Sequence, residues 1–207
     1  MRLYIVRHGV TTWNALKKVQ GSADIPLAEA GIRLARLTGE ALKQVPFDLC
    51  YTSPLGRARQ TAELILAPQP AEVPVIEDAR IQEIDFGVLE GTRFKDESGR
   101  VISREMDVFF NDPLNFKRPE NGENIADICK RTRDFWEEII ARPDLQDKNI
   151  LITSHGCAVR ALLQNVYQNP KDFWHGKVPP NCSVNLIEVI SGKTRILEED
   201  KVYAAQV

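Results

Sequence analysis

Two short stretches combine a cation, an imidazole and a glycine where strands are expected to end. One apolar run stops at Arg7-His8-Gly9, and a later one stops at Ser154-His155-Gly156. Ligands of open α/β folds bind at the carboxyl edge of the sheet, and glycine lets backbone approach an anion closely. Either His-Gly alone is equally well a strand-end turn. Together, two of the three histidines at matching strand ends favour phosphoryl chemistry.

A third junction between strand and helix is expected within residues 50–62, with Arg57 in the first helical turn. A helix N-terminus together with an arginine can bind an anion, because the planar guanidinium offers two donors at once. An arginine at such a position is more often solvated. Its interpretation as a phosphate ligand therefore depends on the two His-Gly ends.

Carboxylates occur in the segment that ends at Phe86-Gly87. Cleavage of a phosphate ester requires a proton for the departing alkoxide, and a carboxylic acid in a partly closed site could deliver it. Most loop carboxylates are simply solvated. Spacing alone does not choose among Asp78, Glu83 and Asp85.

Length and charge limit the classes of function. The chain has 207 residues and a net charge of −2, so we expect a single domain over residues 1–207. Acidic and basic residues are interspersed, which argues against nucleic-acid binding and against a membrane-surface helix. The N-terminal apolar run is too short for a signal peptide, and no run approaches the length of a membrane span. These patterns predict a cytoplasmic protein that binds small molecules.

The four cysteines are far apart and form no C-x-x-C pair, which favours reduced thiols. None lies six residues before an arginine and no D-x-D tripeptide occurs, so signatures of cysteine-based and aspartyl phosphatases are missing. Three histidines are too few for a dinuclear metal site, and His175 is interpreted as a surface or packing residue. Cys157 stands apart because it follows Gly156 where a helix should begin, and a helix N-terminus lowers the pKa of a thiol.

The elements that must position these residues alternate between extended and helical patterns. Runs rich in β-branched and aromatic residues occur near 2–6, 48–52, 73–76 and 149–154. Helical periodicity fills most of the intervals, which predicts a three-layer α/β/α sandwich with a mostly parallel sheet. The tail differs, because residues 184–190 and 194–197 flank Ser191-Gly192-Lys193 as in a β-hairpin. We therefore expect antiparallel strands at one edge.

Four helices are expected around these strands. The first has a predicted apolar face formed by Leu34, Leu37, Ala41, Leu42 and Val45. The second covers about 56–66, and the third carries a stripe over 125–140 with Asn121 or Asn124 as its cap. The fourth follows Gly156 and carries Ala161, Leu162 and Val166.

Residues 91–121 fit neither pattern. They are rich in glycine, proline, asparagine and charge, yet they contain apolar residues at Phe94, Met106, Phe109, Phe110 and Phe116. This content is too apolar for a disordered linker. Both an inserted lid over the site and a packed surface excursion agree with it.

Several sequence blocks occur together in a familiar order. Arg7-His8-Gly9 is followed by Thr11, Thr12, Trp13 and Asn14, then by Gln20-Gly21 and Asp24-Ile25-Pro26-Leu27. Next come Ser53-Pro54-Leu55-Gly56-Arg57-Ala58 with Thr61-Ala62, Glu83 before Phe86-Gly87, and His155-Gly156. Over residues 1–166 these blocks resemble branch 1 of the histidine phosphatase superfamily, which has the phosphoglycerate mutase-like fold.

The resemblance implies a role for each matching residue. His8 would be the nucleophile that becomes phosphohistidine, and Glu83 the general acid and later the base. Phosphate would be bound by Arg7, Asn14, Gln20, Gly21, Arg57, His155, Gly156 and Cys157. A neutral imidazole is an able nucleophile, and cations stabilise charge on the phosphoryl oxygens. No metal or cofactor is implied.

The resemblance further implies a metal-independent phosphomonoesterase for small phosphorylated metabolites. We expect a monomer or homodimer, with no membrane or nucleic-acid partner. The alternative is a mutase with the same phosphohistidine, which would need a long insertion whose cations hold a substrate carboxylate. Residues 91–121 instead mix both charges. A regulatory module without turnover would be expected to lack one of His8, Arg57, Glu83 or His155, and all are present. Val10 and Thr12, near the expected mouth, depart from the commonest pattern.

Overall fold

The central sheet has the predicted mixed architecture. The computed structural model describes residues 1–169 and 172–203. Its strands are β1 Arg2–Arg7, β2 Leu49–Thr52, β3 Val75–Glu77, β4 Asn149–Ser154, β5 Val184–Ile190 and β6 Lys193–Lys201. They lie in the order β3-β2-β4-β1-β5-β6. The first four are parallel, whereas β5 and β6 pair antiparallel as the hairpin pattern predicts.

Helices cover both faces of the sheet. They are α1 Thr12–Ala15, α2 Glu29–Leu42, α3 Gly56–Leu66, α4 Arg104–Asn111, α5 Ile125–Ala141 and α6 Gly156–Leu163. On one face Tyr4 and Val6 pack with α2 and α3, and on the other Leu3 and Ile5 pack with α5 and α6. Because β1 is covered on both faces, its sequence is continuously apolar rather than alternating. The three-layer α/β/α prediction is confirmed.

The buried face of α2 differs from the prediction. Its buried residues are Gly31, Ala35, Thr38, Gly39 and Leu42, whereas Leu37 is 38% exposed and Ala41 is also exposed. A Cβ at Gly39 would lie 2.8 Å from the carbonyl oxygens of Leu64 and Ile65, so α2 approaches α3 too closely for a larger residue. Small side chains therefore define this face, which a search for large apolar residues misses.

The other three predicted helices, α3, α5 and α6, begin within a residue of where they were expected, whereas α1 and α4 were not predicted. Asn124 caps α5. Its side-chain oxygen accepts from the Asp127 N–H, and the Asp127 carboxylate accepts from the Asn124 N–H. This reciprocal capping selects Asn124 over Asn121. The last helix ends at Leu163, so Val166 lies just beyond it. None of the described helices is long and apolar enough to cross a membrane.

Residues 91–121 pack against the body of the molecule. The chain pairs with the segment after α1 through an antiparallel bridge between Lys18 and Arg93. Met106, Phe109 and Phe116 are buried in a cluster with Phe173 and Trp174, and the Trp174 indole N–H donates to the Phe109 carbonyl at 3.0 Å. The segment is thus packed in this structure, and Met106, Phe109 and Phe110 of α4 line the cavity described below. Its role as a lid stays a prediction.

Candidate active site

Three strand ends meet at one edge of the sheet. Arg7 is in register with Ser154, and Thr52 is in register with Thr153. The residues that follow these strands, His8, Ser53 and His155, are therefore neighbours. The imidazole centroids of His8 and His155 are 5.1 Å apart. The sheet thus brings together the chemistry that the sequence placed at separate strand ends.

His8 is a neutral imidazole with one nitrogen free to attack. Its Nδ1 lies 2.7 Å from the Gly9 carbonyl oxygen. Because a carbonyl only accepts, Nδ1 carries the proton and Nε2 keeps its lone pair. Burial, assisted by the positive charges of Arg57 and Arg7, holds the pKa of His8 well below its ordinary value. A neutral imidazole with a free lone pair is the form that can act as a nucleophile.

Arg57 is completely buried next to His155. Its Nε donates to His155 Nδ1 at 3.2 Å, and its two Nη atoms donate to the carbonyls of Gly21 and Ala23 at 2.6 and 2.7 Å. Burial lowers the pKa of Arg57 to about 10, which still leaves it charged at neutral pH. These bonds fix a cation beside the two imidazoles.

His155 uses both ring nitrogens within the protein. Since Nδ1 accepts from Arg57, the neutral ring carries its proton on Nε2, which lies 2.8 Å from Ser53 Oγ. Burial, followed by the charge of Arg57, holds the pKa of His155 well below the usual value. The ring therefore orients Arg57 and Ser53 here, and its direct bond to phosphate stays a prediction.

A cavity of about 310 Å³ opens above these groups. Six predicted site residues line it: Arg7, Asn14, Gln20, Glu83, Gly156 and Cys157. His8, Arg57 and His155 are buried and are not among the residues that line it. Arg7 Nε and Gln20 Nε2 are both buried without a hydrogen-bond partner. Unpaired buried donors are costly, and two of them belong to residues that line this cavity, which favours a site for an anion.

Thr11, which the sequence analysis did not assign, orients the two amides on the cavity wall. Its hydroxyl donates to Gln20 Oε1 at 2.5 Å, and its N–H donates to Asn14 Oδ1 at 3.0 Å. With both oxygens held by Thr11, both amide NH₂ groups remain for an anion. The signal available in the sequence is a threonine three residues before a polar side chain at a helix start.

Glu83 is the carboxylate that faces the cavity. Its Oε2 accepts from the Cys157 N–H, and its Oε1 accepts from the Ala158 and Ile84 N–H groups, all at 3.0–3.1 Å. Burial raises the pKa of Glu83, and the backbone donors and Arg57 oppose that shift. A carboxyl with a raised pKa is suited to deliver a proton.

The other two candidate acids are held elsewhere. Asp78 pairs with Arg80 at 2.6 Å. Although burial acts to raise the pKa of Asp78, the hydrogen bonds from Arg80 outweigh it and the net pKa is lowered. Asp85 accepts from the Gly87 N–H at 2.7 Å in the adjoining turn. Neither residue lines the 310 Å³ cavity, so Glu83 is the one of these three carboxylates that lies at the cavity.

The expectation of a lowered thiol pKa at Cys157 is wrong. Burial, followed by the nearby charge of Glu83, raises the pKa of Cys157 well above its ordinary value. Its backbone N–H donates to Glu83 at 3.1 Å, and the predicted contact of Cys157 with phosphate stays a prediction. The positive end of α6 thus holds a carboxylate, and the thiol beside it stays protonated. All four cysteines are free, as the sequence predicts.

The two predicted glycines serve close packing. A Cβ at Gly21 would lie 2.2 Å from the Ile84 carbonyl oxygen, and the Gly21 N–H is already bonded to Glu90 at 3.0 Å. A Cβ at Gly156 would lie 2.9 Å from Val178 and 3.4 Å from Arg7 Nε. Gly156 therefore leaves room for the guanidinium at the cavity wall.

Asn181 is a site residue that sequence reasoning missed. Its Nδ2 donates to the His8 carbonyl at 2.9 Å, and the residue lines the cavity. The nearby Pro179 carbonyl accepts from Arg7 Nη1 at 2.5 Å. Residues 179–181 thus support both Arg7 and His8. Only the polar type of Asn181, three residues before β5 begins, could have suggested it.

Two further observations complete the site. His175 lies outside the cavity lining, and its ring stacks on Tyr167. Within residues 1–169 and 172–203, no group of three or more His, Cys, Asp or Glu side chains is arranged to hold a metal ion.

Comparisons with known proteins agree with this geometry. The model of the histidine phosphatase superfamily (branch 1) matches residues 3–200. A 2,3-bisphosphoglycerate-dependent phosphoglycerate mutase 2 from Gloeobacter violaceus is 37% identical, covering 79% of this chain and 74% of its own. The uncharacterized phosphatase PhoE of Bacillus subtilis is 32% identical, covering 93% and 90%. The structure of YhfR from Bacillus stearothermophilus superposes with a TM-score of 0.86 at 32% identity, covering 97% of both chains.

Proposed function

Because the chain belongs to branch 1 of the histidine phosphatase superfamily, we propose that it is a metal-independent phosphomonoesterase acting through phosphohistidine on His8. The observation that carries the proposal is that two residues lining the cavity, Arg7 and Gln20, each have a buried donor without a partner, Arg7 Nε and Gln20 Nε2. A bound phosphate would satisfy both. The cytoplasmic location and the monomeric or homodimeric state stay predictions.

The proposed reaction has two steps. In the first, His8 Nε2 bonds to phosphorus, the bond from phosphorus to the ester oxygen breaks, and the Glu83 carboxyl gives its proton to that oxygen. In the second, a water oxygen bonds to phosphorus, the N–P bond breaks, and a water proton returns to Glu83. Throughout, the Nδ1–H of His8 stays hydrogen-bonded to the Gly9 carbonyl oxygen. The positive charges of Arg7 and Arg57 offset the negative charge of the phosphoryl group.

The residues that line the cavity favour a substrate whose phosphate ester carries an apolar organic part and a second anionic group. Its aromatic side is formed by Phe86, Phe94, Phe109, Phe110 and Trp174. Arg7 and Arg57 offset a phosphate dianion, which leaves two cavity ammonium groups, those of Lys18 and Lys95, for another anion. Lys95 Nζ lies 5.7 Å from the rings of Phe94 and Phe110, so the cation and the apolar surface adjoin.

The mutase is the second candidate, and the 37% identity to a phosphoglycerate mutase favours it. Lys18 and Lys95 could hold the carboxylate of a phosphoglycerate. A mutase must also return the phosphoryl group from His8 to the substrate before water reaches it. The proposal of hydrolysis is supported by the mixed charges of residues 91–121 and by relatives that are named as phosphatases.

Oxygen-18 water distinguishes the two candidates. We expect a phosphoglycerate, incubated with the protein and EDTA in H₂¹⁸O, to release phosphate that carries the label. The measurement is the mass spectrum of phosphate and organic product. If the product is isomerised phosphoglycerate with little labelled phosphate, the reaction is that of a mutase. If no phosphate is released from any ester, the proposed function is wrong.

Substitution of Arg57 by lysine tests the buried cation. Lysine keeps the charge, but it cannot reach the Gly21 and Ala23 carbonyls and His155 Nδ1 together. We expect kcat/KM for 4-nitrophenyl phosphate to fall by the equivalent of about 2–4 kcal/mol, as for loss of one charge-stabilising donor. The control is Arg59→Lys, two residues along α3, where the arginine is half exposed and pairs with Glu77. Equal rates in both variants would reduce Arg57 to a structural residue.

A further inference from the structure

The segment that carries Glu83 has no regular structure of its own. Residues 82–86 lie between the short helical turns Ala79–Ile81 and Gly87–Leu89 and form neither helix nor strand. A catalytic carboxyl must nevertheless be held within a fraction of an ångström. The backbone around Glu83 therefore needs support from elsewhere in the fold.

Arg131 on α5 supplies that support with all five of its N–H groups. Nη1 donates to the carbonyls of Arg80 and Gln82, both at 2.8 Å. Nη2 donates to the Glu83 carbonyl at 2.9 Å. The remaining two donors, on Nε and Nη2, form a bidentate pair with Glu123 at 2.9 and 2.8 Å. Such a planar fork is specific to arginine.

Glu123 extends the support to the other side of Glu83. Its Oε2 accepts from the Asp85 N–H at 3.0 Å, and its own N–H donates to the Asp85 carbonyl at 2.7 Å. The pair thus holds backbone at residues 80, 82, 83 and 85. Both side chains are three-quarters or more buried, with 20% and 25% exposed, which favours a fixed geometry over that of a surface ion pair.

Two helices therefore divide the support of Glu83. Its carboxylate is held by the N–H groups at the start of α6, and its backbone is held by Arg131 from α5. We propose that the pair Arg131–Glu123 is a positioning element that aims the Glu83 carboxyl at the leaving oxygen of the substrate. This inference rests on the proposed function, because it assigns a second layer to the same site.

The pair acts through geometry more than through charge. The charges that act on Glu83 are Arg57 on α3 and Arg7 at the end of β1, and the thiol of Cys157 on α6 lies close by. Burial contributes more to the pKa of Glu83 than either arginine. Lysine at position 131 would keep the charge but lose the five-donor fork, so the substitution separates charge from position.

Arg131→Lys and Arg133→Lys make a matched pair for the experiment. Arg133 is exposed on the same helix. The first readout is the ¹³C NMR titration of the Glu83 carboxyl, assigned with Glu83→Gln. In Arg131→Lys we expect the raised pKa of Glu83 to fall toward its ordinary value, since a loosened segment lets water reach the carboxyl. Arg133→Lys should titrate like the wild type.

The second readout compares two substrates. In Arg131→Lys we expect kcat for an alkyl phosphate to fall about 100-fold, the cost of misplacing a reacting group by about 1 Å. The nitrophenol burst should change much less, because a nitrophenolate leaves without a proton. KM should also change much less, because the pair does not contact the substrate. If the pair had only a structural role, the rates with both substrates would fall together. The Glu83 titration of the folded fraction would then be unchanged.

The outcomes separate this inference from the proposed function. An unchanged Glu83 titration in Arg131→Lys overturns the positioning role, whatever the activity. A shifted titration in a protein that releases no phosphate supports the positioning role and overturns the proposed function. If Arg131→Lys does not fold, Glu123→Gln takes its place. Glutamine keeps the shape of the glutamate side chain but weakens the pair with Arg131, so we expect the pKa of Glu83 to shift in the same direction in the same titration.

Discussion

His8→Ala should reduce phosphate release by about 10⁵-fold or more, the order of loss when a catalytic nucleophile is removed. The reason is that Nε2 of His8 carries the free lone pair, while both ring nitrogens of His155 are bonded within the protein. The measurement is kcat/KM for an alkyl and an aryl phosphate. His175→Ala is the control, because that ring lies outside the cavity lining and stacks on Tyr167.

The same prediction has a chemical readout. Wild-type protein mixed with ³²P-labelled substrate and quenched in base should retain a label that is stable to base and labile to acid, as an N–P bond is. Peptide mapping should place it on His8. A label on Cys157 or on any carboxylate would contradict the assignment, and the raised pKa of the Cys157 thiol argues against the former.

Glu83→Gln should distinguish substrates by their leaving groups. An alkyl phosphate expels a strongly basic alkoxide, so loss of the proton donor should slow its cleavage roughly 10²–10⁴-fold. A nitrophenolate leaves without a proton, so phosphorylation of His8 from 4-nitrophenyl phosphate should slow much less. The measurement is the nitrophenol burst under single-turnover conditions. Asp85→Asn is the control, and equal damage to both substrates would move the acid's role to another residue.

The pH profile checks the same assignment. The first step needs the protonated carboxyl, which is present below the raised pKa of Glu83 and is lost as the pH rises through it. Single-turnover cleavage of an alkyl phosphate should therefore decline on the basic side with that pKa. In Glu83→Gln this limb should be missing. The acidic limb should lie well below pH 6.5, because the pKa of His8 is lowered well below that value.

Local patterns in the sequence determined most of the fold. The apolar runs predicted β1, β2 and β4 within a residue or two, and the repeat of Ile125, Ile128, Phe135 and Ile139 predicted α5, because strand and helix periods are properties of neighbouring residues. The hairpin after Val184 followed from Ser191-Gly192 in the same way. Residue types at three strand ends also predicted phosphoryl chemistry, because parallel strands align their carboxyl ends.

The tertiary structure decided the properties that depend on burial and on distant partners. Of the three carboxylates that spacing left open, Glu83 lies at the cavity because the start of α6, more than seventy residues later, buries and binds its carboxylate. That carboxylate and its burial also reversed the expectation for the Cys157 thiol. The buried face of α2 was set by its close approach to α3 at Gly39. Desolvation, close packing and long-range hydrogen bonds arise only when separate segments meet, so no local pattern along the chain encodes them.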